Sequence, residues 1–424
     1  MTRKILKQIW VQRRENGWIF IEMIVISFFL WKAMDPVYTI ISLNNLDKGY
    51  NPDKAFVLKT DCDNKEKETE DLNKIEDVLK LHPMIQNVTI AAVFTYPGTT
   101  AKTMYSFKSE KQPEWTGIVV YDANRDKAQD YLNIIGYKDV NTGMTPIIDN
   151  SRPMEDFCYI SKMAAAKLFP DGSNPVGQKI SSSNESLTVA GVIEDVILSF
   201  GEYEAMVIRF RPSSYLEELS YEGAEILLRL KDNVNTGTFT KSFLQKDAQK
   251  ISTANSRITD IVSLDEIYSE GRIIKGVDGQ IRLQLILSFF FIACAFLGIA
   301  GTIFMKCNRR RSEIGLYRAM GCTKNGILGM FYLESAILIT LAFVISLIPL
   351  AAIILSNNEF MFKSQFFDMT INNSSPYPLY RFIPHFAIVS MITYAILMVT
   401  AFVGTYITAH KYSNLQPSEA LRDE

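Results

Sequence analysis

The chain has 424 residues, 48% of them hydrophobic, with 44 Lys and Arg against 46 Asp and Glu and a formal net charge of -2. That balance excludes bulk electrostatic recruitment of nucleic acid, and a mean hydropathy of +0.06 points to a mixture of membrane and soluble parts. No solenoid repeat or low-complexity tract is present, and the five cysteines set out no disulfide framework.

In chain order, residues 1–17 place Arg3, Lys4, Lys7, Arg13 and Arg14 among Ile5, Leu6, Ile9 and Trp10. The pattern suits a cytoplasmic amphipathic segment lying on the membrane; an ordinary basic flank is the competing reading. Residues 18–41 form a first transmembrane helix, interrupted by Glu22 and by Lys32, which is able to snorkel. A cleavable signal peptide competes with this reading, but Trp31 to Pro36 contains no small-x-small cleavage site.

Residues 42–280 are expected to form a soluble extracytoplasmic domain of mixed structure. Alternation in Ala55 to Lys59 and Asn87 to Phe94 predicts strands around a helix at Glu68 to Leu81, whose Leu72, Ile75 and Leu79 share a face. Ala224 to Leu230 and Ile258 to Leu264 similarly flank a helix near Phe239 to Ile251. These are two β-α-β units at the flanks of a separate middle part. In that part Cys158 to Ile160 reads as a strand, Met163 to Phe169 as a helix, Gly172 to Gly177 as a turn and Leu187 to Ile193 as a strand. Cys62 and Cys158 both fall in this domain, where an oxidising compartment allows a disulfide.

Leu283 to Met305 is an uncharged run of 23 residues, the core of a second span at 281–305. Ala295, Gly298 and Gly301 along it suit close helix approach. A third span covers 326–355, with Thr323 as its cap, and an extracytoplasmic loop covers 356–383. The fourth span, 384–410, contains 24 uncharged residues from Phe386 to Ala409, and 411–424 is a cytoplasmic tail.

Between the second and third spans, residues 306–325 carry Lys306, Arg309, Arg310, Arg311, Arg318 and Lys324 against one acid, Glu313. Short loops rich in Lys and Arg remain cytoplasmic. Ser312 is placed to cap a short helix with Glu313 in its first turn, and Gly321 to end it in the left-handed conformation. Ile314, Tyr317 and Met320 recur at helical spacing as a narrow apolar stripe. Such a stripe suits docking into another protein; a positive-inside anchor lying on lipid accounts for the same residues.

Arg310, Glu313-Ile314-Gly315, Arg318-Ala319 and Gly321 resemble the cytoplasmic signature of FtsX-like permeases, the MacB type of ABC transporter subunit. The resemblance continues through Glu334 and ends at Pro417 and Glu419 to Arg422, while AAAKLFPDGSNPVGQKI followed by LTVAGVIED is similar to that family's extracytoplasmic core domain. It implies a fold class of four transmembrane α-helices plus a large α+β domain, with porter-like β-α-β units and an inserted subdomain. It also implies that Arg310, Arg311, Glu313, Ile314, Gly315, Tyr317, Arg318, Met320 and Gly321 couple to a separately encoded ABC ATPase.

Further implied partners are a second permease copy (homodimer or paralogue heterodimer), membrane lipid, a periplasmic adaptor and an outer-membrane duct. The implied location is the inner membrane with both termini cytoplasmic. The function expected is ATP-driven efflux or export; the alternatives are a signalling subunit that activates an envelope hydrolase and a lipoprotein-releasing permease.

No catalytic site is expected, and no cofactor or metal. Gly172 to Lys179 superficially resembles a phosphate loop, but Gln178 separates Gly177 from Lys179 and Ile180 follows. The three histidines, His82, His385 and His410, make no H-E-x-x-H pair, and no G-x-S-x-G elbow occurs. Glu22 and Glu334 are the intramembrane carboxylates. Such groups mark function by default, and for Glu334 a role in orienting helices beside the coupling loop is expected rather than proton translocation.

Overall fold

The computed structural model describes residues 13–45, 47–64, 67–92, 95–99, 103–148, 157–183, 185–199, 202–212, 224–274, 276–357, 359–364, 367–370 and 382–413. Most of the basic N-terminal segment, Phe94 and the C-terminal Pro417 to Arg422 lie outside the described residues. The chain divides into a helical unit, Met1–Asn44 with Gly276–Glu424, and a soluble unit, Asn45–Lys275.

Helix α1, Arg13–Asn44, holds Pro36 in its last third, where the ring removes the bond to the carbonyl of Lys32. In the soluble unit, β1 (Ala55–Cys62), α2 (Glu68–Lys80) and β2 (Ile85–Ala92) form one β-α-β unit. Leu72, Ile75 and Leu79 of α2 are fully buried. The barrel elements follow: β3 (Thr103–Ser109), β4 (Thr116–Asn124), α3 (Ala128–Ile135), β5 (Phe157–Ser161), α4 (Lys162–Leu168), β6 (Lys179–Ser181), β7 (Ser186–Ile193), the short β8 (Ile197–Ser199) and β9 (Glu202–Tyr203), and β10 (Met206–Arg211). The chain then returns through β11 (Ala224–Leu230), α5 (Thr236–Ser242), α6 (Ala248–Ile251), β12 (Ser256–Ser263) and α7 (Leu264–Ile274).

The two flanking units interleave into one antiparallel sheet of order β12-β1-β11-β2. Each unit's strands are thus separated by a strand of the other, the split β-α-β arrangement. The middle part closes as a barrel, β10-β4-β3-β6-β7-β5. The helix expected near Phe239 to Ile251 is broken by a π turn at Phe243–Asp247, and Leu264 opens α7 rather than closing a strand. Cys62 and Cys158 are both free thiols. Cys158 is completely buried, and burial pushes its thiol well up.

The helical unit continues with α8 (Val277–Arg309), α9 (Arg311–Ala319), α10 (Lys324–Asn357), the hairpin strands β13 (Glu359–Ser364) and β14 (Phe367–Thr370), and α11 (Phe382–Ser413). Among the described residues, four stretches are long and apolar enough to cross a membrane: Gly17–Thr39, Val277–Arg309, Lys324–Ser356 and Ile383–Tyr412. Their shared core contains Met23, Ile26, Ile299, Phe331, Phe343 and Leu397. Cross-helix hydrogen bonds join Ser335 to Thr405 (3.2 Å) and Thr340 to Tyr394 (2.8 Å), each worth about 0.6 kcal/mol inside a bilayer. The second span is the least covered, with Leu285, Ile286, Phe289, Phe290 and Leu297 exposed.

Candidate coupling helix

The short helix α9 is built between two spans with a defined join at each end. Arg310 (φ -102°, ψ 24°) is the link: its N–H donates to the Lys306 carbonyl, and its own carbonyl receives the Ile314 N–H at 2.9 Å. The helix therefore starts directly at Arg311. Ser312 sits inside the first turn and does not act as its cap, which corrects the expectation from its residue type.

At the other end Gly321 has φ +91°. The Cys322 N–H bonds to the Tyr317 carbonyl and the Gly321 N–H to that of Arg318 (2.9 and 3.1 Å), the paired closure that a left-handed residue permits. Thr323 then caps α10, its Oγ1 accepting from the Gly326 N–H at 3.1 Å.

The residues of α9 divide between two faces. Ile314 is 2% exposed and packs into the helical core beside Ile327 and Phe331, and Gly315 is buried with it. Leu316, Tyr317 and Met320 are 53%, 40% and 66% exposed, and Glu313 is also outward. Ile314 therefore does not share a docking face with Tyr317 and Met320. Steps of three residues turn about 60° short of a full helical revolution each time, so a stripe spaced by three drifts off its starting face. Leu316 takes the outward place that sequence spacing assigned to Ile314. Its signal was available in the angular sum about Tyr317 and Met320.

Charge divides in the same way. Arg310 is 5% exposed and Lys306 3%. Both meet Glu334 from α10, with Lys306 Nζ at 2.7 Å and Arg310 Nη1 at 4.0 Å. Arg310 is thus a root of α9 rather than an outward contact, because a buried guanidinium is tolerable only beside its counter-ion. Arg309 and Lys324 face outward and Arg311 and Arg318 are half-buried.

Glu22 takes no part in this network, and among the described residues it makes no ion pair or hydrogen bond. It lies half-exposed on α1 against Gly298 of α8, where a Cβ would come within 2.5 Å of its Oε1. The small residue at 298 makes room for a carboxylate rather than for a neighbouring backbone. Glu22 forms part of a lateral groove of about 330 Å³ with Trp18, Ile21, Val25 and Phe290 in its lining.

Among the described residues no cluster of three metal-ligating side chains exists. A dense buried charge group of the soluble unit is electroneutral: Arg209 grips Asp122 through two bonds (2.8 and 2.7 Å) and Glu185 at 2.5 Å, while Arg211 also reaches Glu185. It ties β4 and β10 to the turn that precedes β7. No residue from it stood out in the sequence, because its members lie far apart in the chain.

Comparison with known proteins gives two family matches: an FtsX-like permease C-terminal region over residues 285–414 and a MacB-like periplasmic core domain over residues 51–245. Curated relatives include the macrolide export ATP-binding/permease protein MacB of Neisseria meningitidis serogroup A, 24% identical over 239 residues. The match takes in 55% of this chain and 35% of that protein. The same-named protein of Photorhabdus laumondii is 25% identical over 213 residues, 46% of this chain and 29% of the relative. The chain thus spans about a third of the length of the relatives it matches. Among solved structures, the periplasmic region of MacB from Actinobacillus actinomycetemcomitans aligns with 54% of this chain and 97% of its own, at 14% identity and a TM-score of 0.33.

Proposed function

The chain is an FtsX-like permease with a MacB-like periplasmic core domain, and on that premise we propose that it is the transmembrane subunit of an export complex driven by a separately encoded ABC ATPase. The observation that carries this reading is the two-sided build of α9. Its inward side is rooted by Arg310, Glu334 and Lys306; its outward side offers Leu316, Tyr317 and Met320 between basic residues.

A rooted helix of this kind converts a push on its outer face into displacement of the helices that hold it. Ile314 and the ion network connect α9 to α8 and α10, so α9 cannot shift without them. The basic outward residues support a cytosolic position for α9; in this reading both termini are cytosolic, the spans lie in the inner membrane and the soluble unit is periplasmic. Two permease copies and two ATPases, with an adaptor and an outer-membrane duct beyond the periplasmic domain, complete the proposed complex. The macrolide-export name of the relatives supports efflux as the task.

Helix-in-groove recognition depends on spaced apolar anchors. Replacing Leu316, Tyr317 and Met320 together by alanine is expected to abolish co-purification of the ATPase, at about 1–2 kcal/mol per anchor, with permease abundance unchanged. An unaltered yield of bound, active ATPase would refute the coupling role.

A further inference from the structure

The buried face of α1 carries four polar side chains one turn apart, Ser27, Trp31, Asp35 and Thr39, none more than 1% exposed. A helix surrounded only by lipid and apolar neighbours has no place for such a stripe. Two members are matched by α11. Trp31 Nε1 donates to Ser390 Oγ at 3.0 Å, and Asp35 Oδ1 lies 2.5 Å from His385 Nε2. The Tyr38 ring stands edge-on to His385. Leu350 and Ile354 of α10 and Val389 of α11 wall in Trp31, with Phe28 and Phe386 beside them, so apolar side chains enclose that end of the seam.

The remaining polar atoms of the stripe are not matched. Ser27 Oγ, Asp35 Oδ2 and Thr39 Oγ1 are buried without a hydrogen-bond partner among the described residues. Buried polar groups are normally paired, and an exception calls for an explanation. Here three exceptions fall on one face of one helix, around a carboxylate that an apolar side chain would replace at less cost if the seam were only glue. A face that must also be stable in a second, hydrated arrangement accounts for both features.

We propose that the α1–α11 seam is a two-state joint: the Asp35–His385 and Trp31–Ser390 contacts latch it in the dry state, and in the other state it parts and water reaches Ser27, Asp35 and Thr39. The seam lies at the end of the helical unit remote from α9. Leu350, level with Trp31, is 16 residues along α10 from Glu334, about 24 Å at the helical rise. The joint deepens the function proposed above, since it rests on that reading for its driver: ATP turnover at the α9 end would work the latch at the other.

The test uses the full chain in cells of its native host. Ser27→Cys and Thr39→Cys are introduced singly, with Ala342→Cys, buried in the apolar core of α10, as the protected reference. Cells are treated with N-ethylmaleimide before and after depletion of ATP, and adducts are quantified on each peptide by mass spectrometry, so the native cysteines stay in place. Positions 27 and 39 are expected to react about tenfold faster than 342 in energised cells and to fall to its rate when ATP is depleted. Asp35→Leu with His385→Leu, an apolar replacement that keeps the seam shut, is expected to remove the labelling while the protein still accumulates. Equal protection at 27, 39 and 342 in both conditions would overturn the joint and leave the α9 reading untouched. Fast labelling at 27 and 39 that ignores ATP would uphold the joint and sink the ATP-driven reading.

Discussion

Glu334 meets two buried cations, and that shared contact sets a ranking of mutant effects. Lys306 Nζ is 2.7 Å away and Arg310 Nη1 4.0 Å, with the three side chains 3–6% exposed. Glu334→Gln removes the carboxylate that both cations meet, and breaking a buried pair costs about 3–5 kcal/mol. Lys306→Met is milder, since the carboxylate keeps Arg310 within a small rotation. At 1.4 kcal/mol per tenfold, Glu334→Gln raises the population with α9 detached by roughly two to three and a half powers of ten. Cys307 reports this population directly: it is fully buried beside Lys306, whereas Cys322 just beyond α9 is exposed and serves as the reference for full reactivity. Maleimide labelling of Cys307 relative to Cys322 in the purified chain should rise steeply in Glu334→Gln and less in Lys306→Met. Unchanged protection of Cys307 in Glu334→Gln, or a larger effect of Lys306→Met, would refute the network as the root of α9.

Three further outcomes follow from the geometry. Arg209→Met should leave Asp122 and Glu185 facing each other with only Arg211 between, destabilising the barrel by about 3–5 kcal/mol; thiol labelling of Cys158, register partner of Arg209, reads the loosening. Gly321→Ala meets no atom within 4 Å, so only backbone strain of about 1–2 kcal/mol applies; amide exchange at Cys322 should quicken, and Gly321→Asn should be milder. Burial raises the Glu225 carboxyl above its ordinary range, against the hydrogen bond from Tyr96. Its contribution is therefore fully present below the unfolded value and lost as pH rises through the folded one. Glu225→Gln should accordingly raise the thermal midpoint at about pH 8 and not at about pH 4, and an equal gain at both would show that charge is not the cause.

Much of this architecture is written locally, and that part was legible. Uncharged runs such as Leu283 to Met305 are long enough to leave little alternative to a span, and Leu72, Ile75 and Leu79 mark one face of α2 whatever it packs on. Gly321 and Thr323 were also readable, because a left-handed closure and a cap depend on a few adjacent residues. The interleaved order β12-β1-β11-β2 was not, since strands almost 200 residues apart pair through backbone groups that every residue carries. The same limit hid the Asp122–Glu185–Arg209 group and the partner of Asp35.

The candidate helix shows how a motif is legible as a unit and misleading residue by residue. Counted along the chain, its loop presents six cations against Glu313, and the count points to the cytosol. Folding withdraws Lys306 and Arg310 into the bundle, where both meet Glu334. Four cations remain against one acid, Arg309 and Lys324 exposed and Arg311 and Arg318 half-buried, so the outward balance is still basic although a third of the count faces inward. The apolar stripe is more fragile. A basic anchor resting on lipid needs only some outward apolar surface, whereas a groove needs anchors fixed in direction. The two inward contacts that remove Arg310 and Ile314 from the outer face are the ones that fix the direction of Leu316, Tyr317 and Met320. The residues lost to the outer face are thus what would give the proposed docking a fixed geometry.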